Sequence, residues 1–456
     1  MGNTEEDKRS AFERHKAALV QSFREAREAG QRVRLGKRTS NLFRRRRADG
    51  ARTLEVSGFN TVIEIDPVAR TVDVGGMTPY DAVVAATLRH GLMPAVVPEL
   101  KSITVGGAVT GGGIESSSFR FGFVHETVVE IEILTASGEV VLCRPDNAHS
   151  DLFFGFANSY GTLGYALRLR IELVPAGPYV QLTHQRCEAP ETYFEALAAS
   201  CGEERARGGA ASFVDGVVFR EGEMVRTVAR SCQSVESVSS YRFMRPFYHS
   251  IRERGEDWLS IEDYIWRWDT DWFWCARAFG MERPWIRFPV GLLGGLNSRT
   301  YWKIRHVYEN SRLLRRIGPG RGKEWVIQDV EIPVDRAAEF QHFLCGRIGI
   351  FPFWICPAKA YEDSSRFPLY QTDPETLYIN FGFWGGLPSG AEPDAHNRLV
   401  ETKVQELGGK KSLYSTSHFS ESEFWEIYNQ PAYRALKNRY DPEDYFPDLY
   451  QKCVLG

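Results

Sequence analysis

Glycine and small hydroxyl side chains crowd residues 98–122, PELKSITVGGAVTGGGIESSSFRFG. Side chains this small cannot fill a hydrophobic core, so the stretch predicts a segment whose backbone makes close approaches. Backbone amides presented in this way can lie against a flat or phosphorylated ligand. The stretch therefore predicts a ligand cradle.

The next part of the chain extends this cradle. Residues 124–143 indicate a strand, a turn at Ser137 and Gly138, and a second strand, while residues 150–175 bring a second glycine-rich turn that leads into a β-rich run. Two glycine-rich turns that flank a hairpin predict one continuous binding surface.

These segments resemble the FAD-linked oxidoreductases of the vanillyl-alcohol oxidase superfamily, which share a PCMH-type FAD-binding domain. The resemblance rests on Gly106 and Gly107, on residues 110–114 and 129–139, and on the Gly-Thr-Leu-Gly turn at 161–164. It implies an α+β fold, with a two-lobed PCMH-type FAD-binding domain and a mixed α/β substrate cap domain that contains an antiparallel sheet. It also implies FAD contacts at Lys37, Arg38, Thr39, Ser40, Thr104, Val105, Gly106, Gly107, Thr110, Gly111, Gly112, Gly113, Ile114, Ser116, Ser117, Gly161, Thr162 and Gly164.

The expected FAD is noncovalent. Some relatives attach the cofactor through a histidine, but His125 stands at the start of a predicted strand, and other residues occupy the usual attachment positions. Residues 36–41 stand where the superfamily has its diphosphate-binding turn. The usual glycine string is missing there, so amides, hydroxyls and positive charge would have to bind the phosphates.

A closer resemblance is to the delta(24)-sterol reductases, which reduce an isolated carbon–carbon double bond. It is carried by residues 98–118, 325–334, 351–357 and 422–450, in the same order. It implies NADPH as the electron donor. The missing hydrophobic anchor of the animal members and the composition of the chain suggest a bacterial member.

The chain of 456 residues is long enough for two or three domains. We predict an FAD-binding domain over residues 1–175, including an N-terminal helix over 5–30 with Phe12, Ala18, Leu19 and Phe23 near helical spacing. A substrate-binding cap is expected over 176–419. Residues 420–456 are expected to return to the FAD-binding domain.

Composition limits the partners and the compartment. A net charge of −3 argues against a nucleic-acid partner, and eight scattered cysteines without paired spacing argue against disulfides and metal sites. The start of the chain is charged, unlike a signal peptide, and no apolar run is long enough to cross a bilayer. These features predict a cytoplasmic protein that is peripheral on the inner face of the membrane.

Two segments are candidates for membrane contact. Residues 258–295 contain six tryptophans interspersed with arginine, and four arginines occupy 44–47. The alternative is that the aromatic residues pack inside the cap and that the arginines form a solvated basic surface. The sequence leaves both readings open.

An isolated alkene requires a positioned acid as well as a hydride, because it has no carbonyl group to absorb negative charge. The resemblance places this acid in the cap or in residues 408–421, where Tyr414 and His418 are the candidates. Gln328 and Asp329 are expected to orient the acid. A lysine that related sugar oxidases carry in this segment is replaced by Ser417 and His418, which argues against alcohol oxidation.

The lipid substrate stays open between a methylene-branched fatty acyl chain, produced by a lipid methyltransferase, and a sterol side chain. Two other functions also stay open. One is an FAD-dependent alcohol oxidase or dehydrogenase, and the other is a flavin-free lipid-binding protein. The sequence does not indicate an oligomeric state.

Overall fold

The computed structural model describes residues 4–37, 42–44, 50–311, 322–361, 366–390 and 392–456. The predicted contacts Arg38, Thr39 and Ser40 and the arginines at 45–47 lie outside these ranges. The described chain combines helices with two largely antiparallel sheets, as the α+β prediction requires. We call the part built on the first sheet the amino-terminal lobe and the part built on the second sheet the cap lobe.

Helix α1 (Glu5–Glu28) opens the amino-terminal lobe. Thr4 caps it in a capping box with Asp7, so the backbone amides of the first turn have acceptors. Phe12, Leu19 and Phe23 are buried, whereas Ala18, which was also expected on the inner face, is exposed. Strands β1 (Val33–Leu35) and β2 (Arg52–Leu54) follow and pair in parallel.

The first sheet has the order β3-β4-β8-β6-β7, with β5 paired to the far end of β8. Its strands are β3 (Val62–Asp66), β4 (Thr71–Gly75), β5 (Leu92–Pro94), β6 (Val128–Leu134), β7 (Val140–Cys143) and β8 (Tyr165–Pro175). Its helices are α2 (Tyr80–Thr87), α3 (Val105–Gly111), α4 (Ser118–Phe121) and α5 (Ser150–Gly155). The predicted hairpin is β6 and β7.

The second sheet has the order β12-β9-β11-β10-β14-β15-β13-β16. Its strands are β9 (Tyr179–Cys187), β10 (Ser212–Arg220), β11 (Glu223–Cys232), β12 (Glu256–Ser260), β13 (Lys323–Pro333), β14 (Phe353–Ala358), β15 (Tyr378–Pro388) and β16 (Lys410–Lys411). The longest ladder joins β13 and β15. Alternate residues of β13 therefore point to opposite faces of one sheet.

One face of the second sheet packs under helices α6 (Pro190–Arg207), α11 (Ala337–Phe343) and α12 (Ala395–Glu406). Val326 and Val330 of β13 contribute to this hydrophobic core. The other face of the sheet turns toward the amino-terminal lobe. It carries Trp354 and Trp384, which belong to the core that the two lobes share.

Helices α7 (Phe247–Glu253), α8 (Ile261–Ile265), α9 (Pro284–Leu292) and α10 (Ser298–Asn310) complete the cap lobe. Four tryptophans of the candidate membrane segment are buried among them: Trp266, Trp268, Trp272 and Trp274. Trp285, in contrast, is 69% exposed. Packing inside the cap therefore accounts for these four tryptophans, and membrane contact by the segment stays a prediction.

Helices α13 (Glu421–Ile427) and α14 (Gln430–Tyr440) bring the chain back to the amino-terminal lobe. The hydroxyl of Tyr440 donates to Asp151 beside α5 over 2.7 Å. The ring of Phe446 packs on Tyr165 of β8, with 5.1 Å between centroids.

Backbone hydrogen bonds join the two lobes directly. The amide of Val214 in β10 donates to the carbonyl of Ser116 over 2.8 Å, and the amide of Lys359 donates to that of Ser118 over 3.1 Å. We call this junction the seam.

A buried group of charges lies at the seam. The Arg267 guanidinium, 1% exposed, is 2.8 Å from both Glu115 of the amino-terminal lobe and Asp215 of the cap lobe. Burial raises the pKa of Asp215, although Arg267 opposes that shift. Burial, reinforced by the charge of Glu115, also raises the pKa of Glu99 well above its usual range. Separating the lobes would break these pairs and leave Arg267 or a carboxylate without its partner.

No helix within the described ranges is long and apolar enough to cross a membrane.

Candidate functional site

The glycine-rich segment forms α3 and the turn after it. We call these two elements and the turn at 158–164 the glycine cradle. Thr104 caps α3, and its hydroxyl accepts from the amide of Gly107 over 3.3 Å. The amide of Gly106 donates to the carbonyl of Gly76 over 3.0 Å, and a Cβ on Gly106 would lie 2.7 Å from that oxygen. Glycine is required there because the backbones approach too closely for a side chain.

Lys37 borders the outer side of α3. A Cβ on Gly107 would lie 3.7 Å from the Lys37 ammonium nitrogen. Gly112 then ends the helix in the left-handed conformation, with φ of 67°, and faces open space. This places a cation beside a helix surface that carries no side chain.

The second glycine-rich turn docks against the first. Tyr160 has a φ of 49°, and its hydroxyl donates to the carbonyl of Gly111 over 3.2 Å. The Lys452 ammonium donates to the carbonyl of Gly161 over 3.3 Å, and the Arg44 guanidinium lies 4.7 Å from the centre of the Tyr160 ring. The cradle is thus bordered by three cations, of which sequence reasoning named only Lys37 for this role.

Several side chains that were expected to contact FAD are occupied inside the protein. The hydroxyl of Ser116 donates to Glu115 over 2.5 Å, that of Ser117 to the carbonyl of Ala95 over 2.8 Å, and that of Thr162 to the carbonyl of Ser159 over 2.8 Å. All three are buried. These hydroxyls therefore stabilise the turns and the seam, and FAD contact at the three residues stays a prediction that concerns their backbone.

The other predicted cradle residues lie in or next to the two turns. Those of the first turn, in addition to the glycines described above, are Val105, Thr110, Gly113 and Ile114. The hydroxyl of Thr110 donates to the carbonyl of Gly106 over 2.9 Å. Gly164 has a φ of 140°, and a Cβ there would lie 2.6 Å from the carbonyl oxygen of Leu134.

A second group of side chains lies on the cap face that turns toward the amino-terminal lobe. The hydroxyl of Tyr414 donates to Oδ2 of Asp329 over 2.6 Å and accepts from Nε1 of Trp384 over 2.8 Å. Nδ2 of Asn380 donates to Oδ1 of Asp329 over 2.9 Å. Burial raises the pKa of Asp329 to about 6, although these hydrogen bonds act to lower it. The predicted pair Tyr414 and Asp329 is therefore in direct contact.

Glu331 and Lys410 join this group. Glu331 follows Asp329 on the same face of β13 and pairs in register with Lys410 of β16. The hydroxyl of Tyr370 donates to Glu331. Burial raises the pKa of Glu331 to about 8 and lowers that of Lys410 to about 8. We call Asp329, Glu331, Tyr370, Lys410 and Tyr414 the acid site.

The titration of Glu331 has a consequence for stability. Its folded pKa of about 8 lies above the ordinary 4.5, so the free energy of unfolding should fall as pH rises from 4.5 to 8. Glu331→Gln removes this contribution. We expect the variant to gain stability relative to the wild type between pH 5 and pH 8, as measured by urea unfolding at both values. An unchanged difference between the two proteins would contradict the buried, protonated Glu331.

Gln328 and His418 lie away from the acid site. Gln328 is on the opposite face of β13, where its amide donates to Oδ1 of Asn397 in α12 over 2.8 Å. The His418 ring lies beside Asp394, the residue before α12, with 4.0 Å between Nδ1 and the carboxylate, and burial lowers the pKa of this ring. The expectations that Gln328 orients the acid and that His418 supplies it are corrected, since both side chains face the helix layer.

The acid site adjoins the glycine cradle through residues 42–44. The amide of Phe43 donates to the carbonyl of Tyr414 over 2.9 Å. The Arg44 guanidinium donates to the carbonyl of Leu413 over 2.9 Å while it lies on the Tyr160 ring. One arginine therefore connects the second glycine turn with the segment that carries Tyr414.

His125 lies apart from both groups, in an aromatic cluster. Its ring is 4.6 Å from that of Phe367 and stacks on Phe123 at 5.4 Å. Burial lowers its pKa to about 3. Noncovalent FAD stays a prediction.

Comparison with known proteins identifies a domain that includes α3 of the cradle. Residues 11–144 match the family described as FAD binding domain. The chain is 27% identical over 335 residues to the Delta(24)-sterol reductases of Macaca fascicularis and Homo sapiens, a match that covers 68% of this chain and 60% of the first relative. It is 24% identical over 446 residues to the Delta(24)-sterol reductase of Arabidopsis thaliana, covering 88% of this chain and 76% of that relative.

The match spans about 60% of the length of the mammalian relatives. The predicted resemblance is confirmed: the chain carries an FAD-binding domain and is similar to Delta(24)-sterol reductases. The structure fits the cofactor in two respects. The cradle leaves a glycine open to space at Gly112 and places Gly107 beside the Lys37 ammonium, and its bordering cations suit a diphosphate.

Proposed function

We propose that this protein is an FAD-dependent reductase of an unactivated carbon–carbon double bond in a lipid. The contact between Tyr414 and Asp329, one segment away from the glycine cradle, carries this proposal. Lys37, Arg44 and Lys452 would hold the diphosphate, with the open glycine surface beside them. When bound and reduced, FAD supplies the hydride.

Tyr414 is the proposed proton donor. When Asp329 is ionised, the Tyr414 hydroxyl donates a hydrogen bond to the carboxylate over 2.6 Å. When Asp329 is protonated, the carboxylic acid can instead donate a hydrogen bond to the tyrosine oxygen. The Tyr414 hydroxyl can then transfer its own proton to a substrate carbon. Asp329 thus orients Tyr414 and returns the proton that it loses.

Aromatic side chains around Tyr414 supply the apolar surroundings that such a reaction needs. Phe43 packs edge-on against the Tyr414 ring at 5.8 Å, and Phe273 lies 4.5 Å from the Trp384 ring. Protonation of a branched alkene places positive charge on a tertiary carbon. Apolar walls keep water from capturing that carbon before the hydride arrives.

Two lipid substrates satisfy this chemistry, because both pass through a tertiary centre. One is a methylene-branched fatty acyl chain, which a lipid methyltransferase would supply and which we favour. The other is a sterol side chain with a delta-24 alkene, which the names of the relatives support. NADPH is the proposed electron donor, following the same kinship.

The test is anaerobic reoxidation of the flavin. The purified protein is reduced with NADPH, and either a methylene-branched phospholipid or a sterol with an unsaturated side chain is added. Recovery of flavin absorbance with one lipid supports the proposal and identifies the substrate class. A protein without flavin, or one that recovers in air but with neither lipid, would overturn it.

Lys410 favours a second candidate function, an FAD-dependent alcohol oxidase or dehydrogenase. Sequence reasoning took this segment to lack the oxidase lysine, yet Lys410 lies on the face of the acid site with its pKa lowered to about 8. A lysine with such a pKa can accept an alcohol proton near neutral pH. Fast reoxidation by air after reduction with an alcohol would favour this function.

The proposed relay predicts a pH dependence. Asp329 is protonated below its pKa of about 6, and only that form frees the tyrosine proton. The rate of flavin reoxidation by the alkene should therefore fall about tenfold for each pH unit above that pKa. Asp329→Asn, which cannot ionise, should be slower but lose this slope. A wild-type rate that rises from pH 6 to pH 8 would contradict the relay.

A further inference from the structure

Helix α9 presents a row of large apolar side chains to solvent. Trp285 is 69% exposed, Phe288 49%, Leu292 67% and Leu293, directly after the helix, 87%. The first three follow helical spacing and so form one stripe. Single exposed apolar residues are ordinary, but a continuous group of this kind marks an interaction surface.

Helix α10, which begins at Ser298 shortly after α9 ends at Leu292, also exposes apolar side chains. Ile304 and Val307, one turn apart, are 36% and 60% exposed. We call Trp285, Phe288, Leu292, Leu293, Ile304 and Val307 the docking face.

Exposed cations border the docking face. Residues 283–308 contain four arginines and one lysine between Glu282 and Glu309, and of these Arg287 and Arg299 are paired with Asp271 and Asp81. Lys303 is exposed beside Ile304, and the Arg283 guanidinium lies 5.7 Å from the Trp285 ring. An apolar stripe with cations at its border complements an anionic lipid surface.

Buried contacts on the inner side of α9 fix the orientation of this helix. Arg287 is 1% exposed and pairs with the buried Asp271, on the side of the helix opposite the apolar stripe. A Cβ on Gly291 would lie 2.3 Å from the ring of Phe243, so the backbone of α9 packs closely on that ring. The apolar stripe therefore cannot turn inward without breaking a buried ion pair.

We propose that the docking face binds the surface of an anionic bilayer. Trp266, Trp268, Trp272 and Trp274 of the sequence-predicted membrane segment take no part, because they are buried, whereas Trp258 is half-buried in β12. Arg44 takes no part either, since its guanidinium lies on the Tyr160 ring at the glycine cradle. The docking face is thus confined to α9, the residue after it and the outer side of α10.

The inner side of α10 gives this surface a route to the acid site. The Trp302 ring lies 4.8 Å from that of Phe43, which in turn lies 5.8 Å from Tyr414. A lipid chain that leaves the bilayer beside α10 is two aromatic side chains away from Tyr414. This route rests on the proposed function, whereas binding to the bilayer does not.

Vesicle flotation tests the proposal without turnover. The full-length protein is mixed with phosphatidylcholine vesicles, with or without phosphatidylglycerol. We expect binding to the anionic vesicles that weakens at high salt. Replacing Trp285 and Leu293 together by serine should reduce binding about tenfold or more, since two apolar side chains no longer insert. Lys303→Glu should reduce binding to anionic vesicles alone, by about tenfold.

Leu399→Ser is the matched control, because Leu399 is an exposed leucine (41%) on α12, outside the docking face. It should float like the wild type, and thermal unfolding should show that all variants stay folded. Equal flotation of the double variant and the wild type would overturn the proposal. So would a wild type that ignores vesicles and forms a dimer which the double variant abolishes, because the docking face would then bind a second copy.

Discussion

Tyr414→Phe is expected to retain bound flavin and to slow its reoxidation by an alkene about a hundredfold to ten-thousandfold. The substitution keeps the ring that packs on Phe43 and removes only the hydroxyl that contacts Asp329. The loss should therefore fall on proton transfer. Stopped-flow absorbance of the reduced protein mixed with the lipid measures that step directly.

His418→Ala is the matched control in the same segment. Its ring lies beside Asp394 at the start of α12, so the variant should reoxidise within a few-fold of the wild type, in contrast to Tyr414→Phe. A full rate in Tyr414→Phe would remove the residue from the chemistry. A large loss in His418→Ala with Tyr414→Phe unaffected would restore the histidine as the donor.

Gly107→Leu is expected to abolish flavin binding in a folded protein. A Cβ there would lie 2.9 Å from the Thr104 hydroxyl, and the rest of the leucine would extend toward the Lys37 ammonium. The side chain would cover the open surface of α3 and displace the cation from it. Visible flavin absorbance of the purified variant, relative to protein concentration, measures the loss.

Gly202→Leu is the comparison for this variant. Gly202 lies in α6 of the cap lobe, and a Cβ there meets nothing within 4 Å. That variant should keep its flavin. Gly112→Leu tests a different property, because Gly112 faces open space but has a φ of 67°, so its cost is backbone strain. Full flavin content in folded Gly107→Leu would contradict the placement of the cofactor at α3.

Local sequence predicted the elements that local chemistry determines. The helix expected over 5–30 is α1, ending at Glu28, and the hairpin around Gly138 is β6 and β7. Glycine spacing also located the cradle. In each case neighbouring residues supply the caps, turns and close approaches that define the element.

The acid site shows where such reasoning stops. Tyr414 and Asp329 were both predicted and lie in contact, yet Gln328, one position before Asp329, faces the helices. Which face of a strand is which depends on its partners, and a shift of one residue exchanges them. Glu331 was missed for the same reason, although the alternation from Asp329 to Glu331 was a usable signal.

The serines at 116 and 117 illustrate a second limit. Their glycine-rich context predicted ligand contacts, but Tyr264, 148 residues later in the chain, comes within 3.2 Å of the Ser116 hydroxyl. No local sequence pattern predicts such a contact. The packing of the two lobes across the seam determines which hydroxyls remain available to a ligand.

The seam determines how the molecule comes apart. Arg267 neutralises carboxylates from both lobes, and strand β10 hydrogen-bonds to the segment after the glycines. Neither lobe can melt first without leaving the other with unpaired buried charge. We expect one calorimetric transition with equal calorimetric and van't Hoff enthalpies, despite two sheets that look separable. A fragment that ends between the sheets is expected to be recovered as a partially structured, aggregation-prone chain.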